Sequence, residues 1–503
     1  MRRSPRVLAP IVLAVALLLG AIAPGAAAQA ATVATKTATK TATKTATKTG
    51  EAQGVARPKG GRRASKPRPA PPPIPPHPLL LISIDGVPWP LLQSELQRLP
   101  HLRELLRRGV SGPLRTVLPS MTWPAHASML TGQPPMVHGV VGNRWLDRAT
   151  GTLQQAYALS MAEAVHAPTL PQLAAAAGIE SAAITWPNTS YAKDIRWNLP
   201  EIPDGPMLRA ASTPGLIEAL AADGVDSGDL DTWTRREGEQ LDAFSLAAAI
   251  ALWRKHQPRL MLLHLLAYDD AAHRRGPTSK QALEALRACD RRVGEMLAAY
   301  GDAAKDLDVI IVSDHGFHEV RDGLSPRRAL ARTRLEPEAL ATLTPVSNGQ
   351  SLWLYASDTP EGAKALKAAT KKLVADGRIT KALPTKALLA AGLGSAGVQP
   401  RAPDALLLLR DDVMLHEPRL ARKERRPGWH GMHGGAPSAP NMQAVWIAAG
   451  PCFRARQQVR GMRVVDVAPI AAASLGLGFA HEPTGRKPAP LEGRVRKDVT
   501  RCR

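Results

Sequence analysis

From residue 79 onward, short and almost continuously apolar runs alternate with longer amphipathic ones, and this alternation constrains the fold more than any other feature. The apolar runs at 79–84, 181–185, 260–266, 309–312, 352–355, 405–409 and 444–448 read as strands. They lack the polar–apolar alternation of a half-exposed strand, so both faces should be covered, as in a parallel sheet. The stretches 93–109, 170–178, 214–224, 241–256, 280–301, 362–377 and 467–476 read as helices, several closed by glycine. Together they predict an α/β fold: a doubly wound, mostly parallel sheet with helices on both faces and inserted loop segments. Between 188 and 240 the only periodic stretch is the helix at 214–224, so this region reads as an excursion bordering a site.

The chain has 503 residues and a formal net charge of +22, a balance that suggests an anionic partner until its distribution is examined. Residues 1–78 hold thirteen Lys and Arg against the single acid Glu51, +12 in all, and the remaining 425 residues carry only +10. The charge therefore belongs mostly to the N-terminal segment. There, Arg2, Arg3 and Arg6 precede an apolar stretch at 7–22 and a small-residue exit at 25–31, the pattern of a secretory signal over 1–30. Residues 31–78 repeat Thr-Ala-Thr-Lys and then become rich in Pro, Arg and Lys, a composition that cannot bury a core. This segment reads as a solvated spacer able to touch an anionic surface, with no specific nucleic-acid partner expected. The basic residues 481–503 read as a C-terminal tail, no later segment reaches membrane-spanning length, and the location expected is periplasmic or secreted.

Three cysteines, Cys289, Cys452 and Cys502, allow at most one intramolecular disulfide and offer no Cys-x-x-Cys metal spacing. Any metal must then be held by His and carboxylate. Such residues stand where the predicted strands end, which is where ligands bind in a parallel sheet. Asp85 follows the first strand, and Asp314 and His315 follow the run at 309–312. Asp269 and His273 are spaced i, i+4, on one face of a helical turn. His430 and His433 lie in a Gly-rich loop before the run at 444–448. Mixed nitrogen and oxygen ligands of this kind suit two zinc ions. Thr122, two residues before Pro124 at a helix start, is placed for a nucleophile whose hydroxyl is activated by helix amides and metal. By contrast, the G-x-G-x-x-G match at 392–397 has no helix after it and does not read as a dinucleotide site.

Taken in order, Asp85-Gly86, Thr122-x-Pro124-x-His126, Thr131-Gly132, His138-Gly139 with Asn143, Trp186-Pro187, Asp269-x3-His273 before Gly276-Pro277, Asp314-His315-Gly316 and Gly431-x-His433-Gly434 resemble the nucleotide pyrophosphatase/phosphodiesterase family of the alkaline phosphatase superfamily. The resemblance spans about 79–480, and it implies one alkaline-phosphatase-like catalytic domain there. It implies Thr122 as nucleophile and Asn143 as the group steadying a non-bridging phosphate oxygen. It further implies one zinc on Asp269, His273 and His433 and the other on Asp85, Thr122, Asp314 and His315, with Trp123, Asn143 and Trp186 as substrate-binding residues. His433 is preferred to His430 because it keeps the family's nine-residue offset to Met442.

The chain also departs from the pattern. Ala125 stands where the family usually has Asn, Ala272 where it has Gly, and His264 where it has a Tyr that packs on the nucleotide base. The expected activity is hydrolysis of phosphate diesters or nucleotide pyrophosphate bonds through a phospho-threonine. Monoester, sulfate-ester or phosphonate hydrolysis on the same site, and wall or nucleic-acid binding by the basic N-terminus, remain as alternatives.

Overall fold

The structure is a computed structural model that describes residues 77–228, 230, 237–416, 429–478 and 493–502. The expected signal (1–30), the spacer up to residue 76 and residues 481–492 of the expected tail lie outside the described residues. In chain order the strands that organise the domain are β1 (Leu79–Ile84), β2 (Val110–Arg115), β3 (Ser181–Trp186), β4 (Trp197–Pro200), β5 (Leu260–Leu265) and β6 (Asp308–Val312). They continue with β7 (Leu343–Asn348), β8 (Ser351–Ala356), β9 (Ile379–Pro384), β10 (Ala405–Leu409), β11 (Ala444–Ala449), β12 (Gln457–Gln458) and β13 (Met462–Arg463).

The main sheet has the order β12, β2, β11, β6, β1, β5, β3, β4, with β13 also on β2. β1 pairs in parallel with β5 and β6, and β3 with β4 and β5. β11 runs antiparallel between β2 and β6. Both faces are covered, which is why the strands read as unbroken apolar runs. Leu80, Ile82 and Ile84 of β1 pack with the helices Pro100–Arg108, Gly238–His256 and Lys280–Ala299 on one face. Leu79 and Leu81 pack with Thr122–Thr131, Leu170–Ala176 and Val467–Ser474 on the other. On that second face lie also Leu260 and Leu262 of β5 and Ile310 and Val312 of β6. Continued by steps of two, the same parity sends Ser83 and Asp85, His264, and Asp314 toward the Thr122–Thr131 helix.

The structure departs from the sequence expectation in several places, among them the excursion at 188–240, which supplies β4 and a helix at Gly205–Ala211. The runs at 352–355 and 405–409 are not in the main sheet: they belong to an antiparallel sheet of order β7, β8, β10, β9. β7 and β8 form a hairpin in which Asn348 faces Ser351 across Gly349 and Gln350. Gly349, at φ +59°, supplies the positive φ that such a two-residue turn needs at its first central position. The predicted helix at 93–109 is divided at Leu99, because Pro100 opens a new helix and disfavours helical backbone in the residue before it. β2 was hidden by Gly112 and Pro113. Its outer neighbours pair only with Val110, Ser111, Leu114 and Arg115, so no hydrogen bond is asked of the proline on that side.

Cys452 and Cys502 form the disulfide, and Cys289 is free and buried. Residues 493–502, expected as part of a tail, lie on the domain: Thr500 bridges Phe453, the Arg501 amide donates to the Cys452 carbonyl at 2.7 Å, and Gly493 donates to Gly132 at 2.8 Å. The bond closes a sequence separation of 50 residues. Closure of a loop that long contributes about 4 kcal/mol in the chain-entropy account. Replacing Cys502 by Ser should lower the free energy of urea unfolding by about 2–4 kcal/mol. Reductant should do the same to the wild type and add nothing to the variant.

Candidate active site

The ligand residues are brought together by the sheet. Asp85 immediately follows β1, and its amide extends the ladder by donating to Leu265 of β5 at 2.9 Å. Asp314 and His315 follow β6, the other neighbour of β1. The helix Ala267–Arg275 follows β5 and carries Asp269 and His273. Because β11 is antiparallel, the loop that enters it lies at the edge where the parallel strands leave, and that loop carries His433. Thr122 is the first residue of the helix that follows β2.

Each imidazole is set by a backbone carbonyl. Nδ1 of His273 contacts the Gly431 carbonyl at 3.0 Å, Nδ1 of His315 the Gly316 carbonyl at 3.1 Å, and Nδ1 of His433 the Ser120 carbonyl at 3.0 Å. A carbonyl only accepts, so in all three rings Nδ1 carries the hydrogen and Nε2 presents a lone pair. Burial keeps the rings neutral: it lowers His315 to about 3 and His273 to about 4, and it takes His433 well below the imidazole range with help from His315 and His273. The Nε2 atoms meet carboxylates. His315 Nε2 is 3.1 Å from Asp314 Oδ2, 3.4 Å from Asp85 Oδ1 and 3.3 Å from the Thr122 hydroxyl. His273 Nε2 is 3.4 Å from Asp269 Oδ2, and His433 Nε2 is 3.9 Å from Asp269 Oδ1.

The carboxylates are equally directed. Asp314 Oδ1 accepts the amides of Gly86 at 3.0 Å and His315 at 2.9 Å, whereas its Oδ2 has no hydrogen-bond donor. Asp85 Oδ1 and Asp269 Oδ1 are likewise buried and without a donor. Burial first, and then repulsion from Asp314, raises Asp85 well above the usual carboxylate range; burial, Asp85 and Asp314 do the same to Asp269. Three donorless carboxylate oxygens facing three imidazole lone pairs form a site built for cations, since buried anions are costly unless compensated. The ligand atoms fall into two groups, Asp269 with His273 and His433, and Asp85 with Asp269 and His315. Asp269 thus stands in both groups, and Asp314, expected among the second set, lies outside this grouping with its Oδ2 3.1 Å from His315 Nε2. His433 occupies the site, whereas His430 is exposed and meets its neighbours through its backbone, the amide donating to the His273 carbonyl and the carbonyl accepting from Val320, each at 2.8 Å.

Thr122 is 5% exposed and stands at the helix start with its hydroxyl against the second group. Asn143 accepts the Trp123 amide at 3.2 Å, which orients its side chain with Nδ2 as the remaining donor. Trp123 is partly buried, and its carbonyl takes Nδ2 of Asn188 at 2.9 Å. Trp186 is placed differently from the expectation. Its indole is fully buried and meets the His126 ring edge-on at 5.1 Å, so it supports the helix that carries Thr122 and has no surface for a substrate. His126 ties that helix to β1, with Nδ1 on the Thr122 carbonyl at 2.9 Å and Nε2 on Ser83 at 3.0 Å. Gly86 has φ +75°, and a side chain there would press on Asp269 and Phe317 at 3.0 Å.

Two supporting groups escaped the sequence reading. Asp242 accepts the amides of Leu266 at 2.6 Å and Ala267 at 3.2 Å, capping the start of the helix that carries Asp269 and His273. Glu201, from the excursion, lies 3.0 Å from Nδ1 of His264, whose Nε2 is 3.1 Å from Asp85 Oδ2. Burial alone would lower His264, but Asp85 and Glu201 hold it well above the imidazole range. Neither group has a local sequence signal, because each acts across a long chain separation.

The type I phosphodiesterase / nucleotide pyrophosphatase model matches residues 79–436. The mouse ectonucleotide pyrophosphatase/phosphodiesterase family member 1 is 24% identical over 80% of this chain and 41% of its own length. Venom phosphodiesterase 2 of Crotalus adamanteus is 20% identical over 83% of this chain and 46% of its own. This chain therefore spans less than half of the length of these relatives. Among solved structures, murine ectonucleotide pyrophosphatase/phosphodiesterase 5 superposes with a TM-score of 0.60 at 17% identity, covering 81% of this chain and 97% of that one. An inactive threonine-to-alanine variant of the same murine protein, in complex with AMP, gives a TM-score of 0.61. With the family model covering well over half of its residues, the chain belongs to the type I phosphodiesterase / nucleotide pyrophosphatase family.

Proposed function

We propose that this chain is an exported, zinc-dependent phosphodiesterase or nucleotide pyrophosphatase that works through a phospho-threonine at Thr122. The observation that carries the reading is the convergence of three donorless carboxylate oxygens and three imidazole Nε2 atoms beside a hydroxyl at a helix N-terminus. Asp269, His273 and His433 would hold one zinc, and Asp85, Asp314, His315 and Thr122 the other. Bound there, the ions supply positive charge next to the Thr122 hydroxyl and the phosphoryl oxygens. Thr122 Oγ1 loses its proton to solvent and forms the bond to phosphorus as the bond to the leaving oxygen breaks, the departing oxygen taking a proton from solvent; water then adds at phosphorus, freeing Thr122 and a phosphomonoester. Asn143 donates to a non-bridging oxygen on which charge develops, and the first helical turn adds its dipole. Trp123 offers an aromatic face to a nucleoside or other organic substituent. A solved relative carries AMP, which supports a nucleotide as substrate.

Export is supported by the expected signal over 1–30 and by the Cys452–Cys502 disulfide, a bond characteristic of oxidising compartments. Named relatives are ecto-enzymes and a venom enzyme, and no helix among the described residues is long and apolar enough to cross a membrane. The spacer at 31–78 then separates the signal from the catalytic domain beginning near 79.

Thr122→Ala should reduce turnover of bis-p-nitrophenyl phosphate by about 10³-fold or more, in line with loss of a nucleophile, while bound zinc persists. Turnover at the wild-type rate would sink the assignment. Asn143→Ala should cost about 10²–10³ in kcat, the usual loss for one oxyanion donor. On a panel of bis-p-nitrophenyl phosphate, p-nitrophenyl phosphate and p-nitrophenyl thymidine monophosphate, the two diesters should be preferred; a monoester preference would overturn the diesterase reading.

A further inference from the structure

The most unusual group near the site is an imidazole that neither holds a metal nor reaches substrate. His264 is the penultimate residue of β5, in register with Ser83 of β1, and it is fully buried. Its Nδ1 faces Glu201 Oε2 at 3.0 Å and the Thr185 carbonyl at 3.1 Å, both acceptors, so Nδ1 carries a hydrogen. Its Nε2 faces Asp85 Oδ2 at 3.1 Å. The ring therefore lies between two carboxylates at ion-pair distance, while its one hydrogen bond runs from Nδ1 to the Thr185 carbonyl. Asp85 is divided by this arrangement: Oδ2 is turned to His264, while Oδ1 has no donor and lies 3.4 Å from Nε2 of His315, in the second ligand group.

The backbone is shaped around that ring. Thr185 has φ +55°, a left-handed conformation that is strained for a β-branched residue. It sits where the pairing register of β3 with β4 shifts between Ile184 and Trp186, and the irregularity turns its carbonyl to His264. Its hydroxyl is tied to Ser245. Glu201 directly follows β4, and its amide donates to the Trp186 carbonyl at 3.3 Å. A histidine that merely filled the core would need one acceptor. Here a strained carbonyl and two carboxylates from separate segments converge on one buried ring.

We propose that His264, backed by Glu201, is a positioning residue that fixes the Asp85 carboxylate so that Oδ1 alone is presented to the metal. The proposal rests on the two-metal reading given above. Groups that hold a metal ligand from behind typically account for about 10–100-fold in metal affinity. His264→Ala and Glu201→Ala should therefore weaken one of two zinc sites by about that factor and leave the other unchanged. Glu201→Gln should recover most of the loss, because it keeps an oxygen facing Nδ1 in the same place.

The test is zinc stoichiometry and affinity by chelator competition on the mature chain, with zinc alone as the probe. Selective weakening of one site, rescued by Glu201→Gln, supports the proposal. Unchanged affinity at both sites, or equal loss at both, overturns it. If His264→Ala does not fold, Glu201→Ala decides the matter by the same criterion. A wild-type protein that binds no zinc would instead remove the two-metal reading, whatever the variants do.

Discussion

Mutual repulsion among Asp85, Asp269 and Asp314 is the constraint from which the rest of the site follows. Each is buried or nearly so, each keeps one oxygen without a donor, and the three strand ends that carry them are adjacent in the sheet. Such a cluster is relieved by compensating positive charge or by protons, and the surroundings show how the domain prepares for the first. Backbone amides take the outward oxygen of Asp314, and carbonyls take the outward nitrogen of each histidine. What remains at the centre is a set of lone pairs aimed inward. The fold supplies this orientation before any ion arrives, so binding costs little reordering.

The sheet direction matters as much as the side chains. Because β11 runs against its neighbours, the loop entering it meets the ends at which β1, β5 and β6 leave, and His433 joins ligands that precede it by more than a hundred residues. An all-parallel arrangement would place that entry at the opposite edge. The same loop is tied to the second sheet, where the Gln350 amide donates to the His433 carbonyl at 2.8 Å. The antiparallel sheet is thus more than an appendage: it holds one end of the ligand set.

Much of this was legible in the sequence, for physical reasons that can be named. Strands covered on both faces leave unbroken apolar runs, and ligands at their ends leave an Asp or His directly after each run, so the main sheet strands β1, β3, β5, β6 and β11 and the inner ligands could be read. Strand direction leaves no such mark, which is why 352–355 and 405–409 were assigned to the wrong sheet. Asp242 and Glu201 could not be read, since a carboxylate that serves a helix start or an imidazole far away in sequence looks like any surface acid. Trp186 illustrates the reverse error. Its motif is real, but its function is to wall the His126 ring, and only packing reveals that.

His264 also bears on what the site can grip. The family resemblance places a base-packing tyrosine at this position, and here the side chain is fully buried between two carboxylates, with no face to offer a ring. The aromatic surface left beside Thr122 is Trp123, held from two sides by Asn143 and Asn188 through its backbone amide and carbonyl. The same residue that gives Asp85 a buried partner thus leaves no aromatic ring at the position where the family resemblance places one.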